Sequence, residues 1–301
     1  MKNNSFIIIE AAKAGRKKVH PVFAVILAII FLTLGELFML FMLFMLFLPK
    51  AETIFMKGIY DNVRMVLTFG GAIFILFIWV RFVEKRPFSS IGFWKEKWMR
   101  KYLKGALIGF VFISTPVILL LLMGSVKLQV QHITSTVIVG IVGSLVAFLI
   151  QGATEEIIVR GWLFPVLSVR SRIWVGIIVT SFLFGFLHLL NPGITILSIS
   201  NIILVGVFAA LYVLKEDGLW GICAWHSIWN WAQYNVYGFA VSGTTIYSTP
   251  IFKSITNGPE TLHGGTFGIE GSIITTIMLT IASIVLWRKL WGRKAKQRNF
   301  S

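Results

Sequence analysis

Apolar residues run along this 301-residue chain in eight long blocks with almost no charge. Each is close to the roughly 20 residues that an α-helix needs to cross a hydrocarbon core of about 30 Å. The blocks are Val22–Leu48, Val66–Val83, Leu103–Met123, Thr136–Trp162, Ile173–Leu190, Ile194–Leu214, Leu219–Val241 and Ser272–Trp291. The short alternating segments of a closed β-barrel do not occur. The pattern predicts an all-α, polytopic membrane protein, with about eight transmembrane helices in one membrane domain over residues 1–301. The first block is too long for a cleaved signal peptide and no small-residue cleavage site follows it, so it is expected to stay as an anchor. The stretch Ser242 to Glu270, with five glycines, reads as an external loop.

Composition agrees. The chain is 56% hydrophobic and 13% charged, where a soluble domain carries about 25% charged residues, which excludes a water-soluble enzyme. A net charge of +16 would suggest nucleic acid in a soluble protein, but here it follows the membrane. Of 28 Lys and Arg residues, 22 fall at the N-terminus, in the second, fourth and sixth connections and at the C-terminus, among them Lys2, Arg16, Lys17, Lys18, Arg86, Arg100, Arg170, Lys215 and Arg293. The alternate connections hold only Lys50, Lys57, Arg64, Lys127 and Lys253. Basic residues concentrate on the cytoplasmic side, so both termini are expected in the cytoplasm and no nucleic-acid partner is expected. A single cysteine, Cys223, excludes an intramolecular disulfide and a cysteine-cluster zinc site.

Ionisable side chains inside hydrocarbon cost on the order of 3 kcal/mol or more, which makes them functional candidates. Few occur: Glu36 in the first span, Glu155, Glu156 and Arg160 in the fourth, His188 in the fifth and His226 in the seventh, with the amides Gln151, Asn201, Asn230 and Gln233 beside them. Residues four apart share a helix face, so Glu156 can pair with Arg160, and His226 lies over Asn230. Glu155 points roughly 100° away from Glu156. Helical rise puts Glu155 about 22 Å from Arg170, His188 about 24 Å from Arg172 and Asn230 about 20 Å from Asp217. Three helices thus bring a carboxylate, two imidazoles and an amide to one depth, in a polar intramembrane cavity expected to open to the cytoplasm. A carboxylate beside an imidazole can take a proton from water, and donors such as His226 and Asn230 can stabilise an oxyanion. Glu36 can pair with another helix or face the cavity, the structural reading being favoured, and His20, His132 and His263 are expected to be solvated. Trp225 and Trp229 are candidates to line the cavity.

The run Glu155-Glu156-Ile157-Ile158-Val159-Arg160 resembles the EExxxR motif of the CAAX prenyl protease and bacteriocin-processing family. Phe184-Gly185-Phe186-Leu187-His188 resembles its FxxxH motif, and His226-Ser227-Ile228-Trp229-Asn230 its HxxxN motif. The likeness covers about residues 140–240, and Arg86 to Phe93 looks like a further family feature. It implies an eight-helix intramembrane glutamate-type endopeptidase that needs no metal or other cofactor. Glu155 would accept the proton, His188 would hold the water, and His226 with Asn230 would form the oxyanion hole. Glu156, Arg160 and Phe184 would be supporting residues. The implied partners are membrane lipid and a peptide or protein substrate. That substrate is lipid-modified if the branch that trims prenylated CaaX proteins applies; prokaryotic relatives are linked instead to bacteriocin maturation, self-immunity and surface-protein regulation. The short loops read as prokaryotic, so a bacterial cell membrane is expected. Three other readings stay open: a zinc protease using His188, His226 and Glu155, a non-catalytic immunity or scaffold protein, and a transporter.

Overall fold

The computed structural model describes residues 6–15, 19–46, 53–246 and 248–298, with side chains to residue 292. Of the expectations above, Lys2, Arg16, Lys17, Lys18, Lys50 and the last two residues of the first block lie outside the described residues. A short helix α1 (Ile7–Lys13) precedes α2 (Pro21–Leu46), α3 (Ile54–Ile78) and α4 (Trp98–Leu122). Strand β1 (Val126–Val130) leads into α5 (Ser135–Glu156), α6 (Phe164–Arg170), α7 (Ile173–Phe186), α8 (Ile196–Glu216) and α9 (Trp220–Trp231). Strand β2 (Phe252–Thr256), the single turn α10 (Glu260–His263) and α11 (Ile273–Arg298) complete the chain.

Every predicted block holds a helix, and the protein is an all-α polytopic membrane protein. Among the described residues six helical stretches are long and apolar enough to cross a membrane, whereas α7 has 14 residues and α9 has 12. Their outward faces carry exposed apolar side chains such as Phe82, Leu107, Leu122 and Phe186, as a lipid-facing surface requires.

Three departures from the predicted pattern matter. Helix α3 begins at Ile54 rather than Val66, because the Thr53 hydroxyl caps it by accepting from Met56 N at 3.2 Å; the charged residues Lys57 and Arg64 had marked that stretch as a connection. The fourth block is one helical rod of 36 residues in whose second half Ile157–Leu163 is π-helical, between α5 and α6. Helix α7 stops at Phe186, before His188, ahead of Asn191-Pro192-Gly193; proline disfavours helical geometry in the residue before it.

The stretch 242–270, read as an external loop, has regular structure of its own. Strand β2 within it pairs antiparallel with β1, Val126 opposite Thr256, and the stretch ends on two buried residues, His263 and Glu270, 6% and 5% exposed. His263 was expected in solvent; instead its Nε2 lies 3.3 Å from Gly258 O and its Nδ1 accepts from Gly265 N at 3.2 Å. Sequence pattern missed this because the glycines that let the stretch fold back also mark a loop.

Close helix contacts set the frame. Gly105 and Gly109 on α4 face the backbone of Gly221 and Trp225 on α9 with no room for a side chain, the small-residue spacing that lets membrane helices approach. Arg86, in the stretch likened to a family feature, donates from Nε to Glu84 Oε2 at 2.6 Å and from Nη1 to Ser90 Oγ at 3.0 Å. Glu84 Oε1 accepts from Trp79 Nε1 at 3.1 Å and from Trp162 Nε1 at 2.7 Å. Since Trp162 belongs to the π-helical stretch, this buried cluster anchors the helix that carries Glu155 and Glu156. Asp217, at the left-handed C-cap of α8, accepts from Ile7 N and Ile8 N at 2.8 and 3.1 Å, and so holds the start of α1.

Candidate active site

The sequence candidates come from three elements. Glu155 and Glu156 end α5, His226 and Asn230 lie on α9, and His188 follows the last turn of α7. Gly152 brings the first two elements together: a Cβ there would lie 2.7 Å from Ser227 N and 2.8 Å from Ser227 Cα, so only glycine allows α5 and α9 this close.

Glu156 and Arg160, both fully buried, pair at 3.2 Å as their spacing predicts. The same Glu156 oxygen lies 2.8 Å from His226 Nδ1, and a carboxylate there requires the ring to donate from Nδ1. His226 Nε2 then faces Glu155, with Oε2 at 3.7 Å. That oxygen is buried and has no hydrogen-bond partner among the described residues. The other Glu155 oxygen accepts from Gln151 Nε2 at 2.5 Å, and Gln151 Oε1 accepts from Asn230 Nδ2 at 3.0 Å. Asn230 therefore reaches the carboxylate through an amide relay, and one of its two N–H groups is already committed. Gln151 appeared in the sequence only as a nearby amide. Its position four residues before Glu155 was the one available signal for this role.

Phe184 joins the rest. Arg160 stacks over its ring at 4.3 Å, and the ring centroids of His188 and His226 lie 4.8 and 6.0 Å from its own. His188 Nδ1 is 2.7 Å from Phe184 O, back-bonding the end of α7. Its Nε2 has no hydrogen-bond partner among the described residues. His188 stands apart from the carboxylates but shares one cavity with them.

That cavity has a volume of about 690 Å³ and is lined by Glu155, Gln151, Phe184, His188, His226 and Asn230 together with Glu36, Trp225, Trp229, Ser242 and Glu270. Of the two readings of Glu36, the structure favours the second: it lines the cavity and pairs with no other helix among the described residues. Glu270 was missed because it sits in the stretch read as an external loop. Burial pushes its carboxyl above the ordinary value, against hydrogen bonds from Ser242 that lower it. Asn201 and Gln233 are structural: Asn201 Nδ2 donates to Glu270 O and Ser272 O, and Gln233 Nε2 to Ala240 O. No three His, Cys, Asp or Glu side chains among the described residues are grouped to hold a metal ion.

Fold and site together define an integral multi-pass membrane protein with a polar cavity walled by carboxylates, imidazoles and amides. Residues 137–232 match the family model for type II CAAX prenyl endopeptidase Rce1-like proteins. This segment carries the three motifs, and the match supports their likeness to the CAAX prenyl protease and bacteriocin-processing family. No curated protein and no solved structure matches the chain.

Proposed function

We propose that the protein is a metal-independent, glutamate-type intramembrane endopeptidase and that Glu155 is its proton acceptor. The observation that carries this reading is Glu155 Oε2, an acceptor without a donor, beside His226 Nε2 and on the wall of the cavity. A water bound there gives its proton to Oε2 while its oxygen bonds to the scissile carbonyl carbon. The carbonyl oxygen becomes an oxyanion and accepts from the second N–H of Asn230 and from His226 Nε2 when the ring carries both protons. On collapse the C–N bond breaks, and the proton on Glu155 passes to the departing amine. His188 Nε2 holds the water, and Glu156, Arg160 and Phe184 hold His226 and His188 in register.

The substrate is a peptide or protein at the membrane, carrying a lipid if the prenyl branch of the family applies. The domain is a single membrane unit over residues 1–301 with its catalytic core at about 140–240. Eight helices cross a bacterial cell membrane, both termini are cytoplasmic, and the cavity opens to the cytoplasm.

The test compares C-terminal peptides of membrane proteins in cells carrying wild type or Glu155→Gln, an isosteric change that removes the base. A fragment set present with wild type and absent with Glu155→Gln supports the reading and names the substrate. Identical sets sink it and favour an immunity or scaffold role. Loss of those fragments in a reconstituted reaction with a strong chelator, and their return with zinc, would replace glutamate chemistry by metal chemistry.

A further inference from the structure

Glu270 lies in the short 3-10 turn Ile269–Gly271, just before α11, with its carboxyl on the cavity wall. Three donors converge on it: Trp229 Nε1 at 3.2 Å on one oxygen, and Ser242 N at 2.7 Å and Ser242 Oγ at 2.8 Å on the other. Each route leads to a different histidine. Trp229 sits on α9 between His226 and Asn230, so its bond limits rotation of the helix face that presents both. The Ser242 carbonyl accepts from Asn191 Nδ2 at 2.8 Å, and Asn191 N donates to His188 O at 3.1 Å, closing the turn that carries the second imidazole.

Two further facts indicate that the carboxyl does more than fill space. Ser242 has φ 47°, a left-handed conformation that side-chain-bearing residues avoid, and Glu270 holds both of its donors there. No hydrogen bond among the described residues runs directly from α9 to the turn at 187–191, and Glu270 supplies a hydrogen-bonded connection between them beside the route through Glu156, Arg160 and Phe184. The Glu270 backbone is fixed separately, by Asn201 on α8.

We propose that Glu270 is a positioning residue of the hydrolytic site, clamping α9 to the His188 turn so that His226 and His188 keep one spacing. The proposal rests on the protease reading insofar as the two histidines act on one substrate. Its structural content is tested without any substrate, because the chain has only five histidines and their ring signals are resolvable in ¹³C-histidine-labelled protein in lipid nanodiscs. His188→Gln and His226→Gln assign the two signals. Glu270→Gln keeps the size of the side chain but turns an amide N–H toward one of the donors. It is expected to move both signals and leave those of His20 and His132 in place, with Glu270→Asp moving them less. In cells Glu270→Gln should lower the fragment yield about tenfold or more, the scale of a sub-ångström misplacement, and Glu270→Asp should recover part of it.

Unchanged signals for His188 and His226 in a folded Glu270→Gln protein overturn the proposal, as does a wild-type fragment yield from that variant when Glu155→Gln abolishes the fragments. If Glu155→Gln leaves the fragments intact, the protease reading fails, while the ring signals still decide the clamp. Should Glu270→Gln not fold, Trp229→Phe removes one donor and keeps an aromatic ring. It is expected to move the His226 signal more than that of His188, and an unmoved His226 signal overturns the clamp.

Discussion

Gly152→Ala tests the framework that creates the site. The added methyl would meet Ser227 N at 2.7 Å and Ser227 Cα and Oγ at 2.8 Å, about 0.7 Å inside ordinary contact. Two of those atoms are backbone and cannot rotate away, so α5 and α9 must separate. Glu156 and His226 lie within about one turn of this contact, and their 2.8 Å bond would stretch to the outer limit of a hydrogen bond, about 3.5 Å. Overpacking costs about 1–3 kcal/mol, and losing a charge-assisted bond between buried groups adds about 1.5–3 kcal/mol. Misplacing the site by most of an ångström lowers turnover on the order of 10- to 100-fold. Gly70→Ala is the control, since a Cβ there meets nothing within 4 Å. Both variants are to be compared in nanodiscs by thermal unfolding and in cells by fragment yield. If Gly152→Ala matches Gly70→Ala in both assays, close approach of the two helices is not what assembles the site.

Three further outcomes follow from the same geometry. Arg160→Met leaves the fully buried Glu156 with His226 Nδ1 as its donor but without its cation and should cost about 3 kcal/mol, the lower end for breaking a buried pair; adding Glu156→Gln should recover part of that in denaturant titrations, and a double variant no more stable than the single would refute the pairing argument. Gln151→Leu cuts the relay from Asn230 to Glu155 and should reduce fragment yield about tenfold, the equivalent of one or two hydrogen bonds, with little change in unfolding temperature; an unchanged yield makes the relay incidental. Burial holds the Glu270 carboxyl above its ordinary value, so its contribution to stability is fully present below about pH 4 and declines as pH rises toward the raised folded value, because the unfolded chain releases the proton first. Glu270→Gln should remove that part of the pH slope in thermal unfolding, and an identical slope in the variant would contradict it.

Much of the site was legible because its signals are local. A carboxylate, an imidazole or a guanidinium within an apolar span stands out by cost alone, and i,i+4 spacing correctly paired Glu156 with Arg160. His226 and Asn230 share a face as their spacing predicts, yet Asn230 turned out to reach Glu155 through Gln151, on another helix. The π-helical stretch at 157–163 left no trace in hydrophobic periodicity, because both helix types keep the same residues apolar. The β1–β2 ribbon pairs strands more than 120 residues apart, in segments too short and polar to stand out beside the spans.

Hydrophobic length alone determined that this chain is a bundle of membrane helices, since burying backbone polar groups in lipid leaves almost no other solution. Motif spacing determined which side chains could carry chemistry. Tertiary structure decided the rest: that His226 bridges both glutamates, that Glu36 faces the cavity, and that the stretch from Ser242 to Glu270 folds inward to bring a third carboxyl to the wall. Those outcomes depend on contacts such as Trp229 with Glu270 and Ser227 with Gly152, whose partners lie tens of residues apart. Local pattern records which residues avoid water, but packing alone specifies whom they meet.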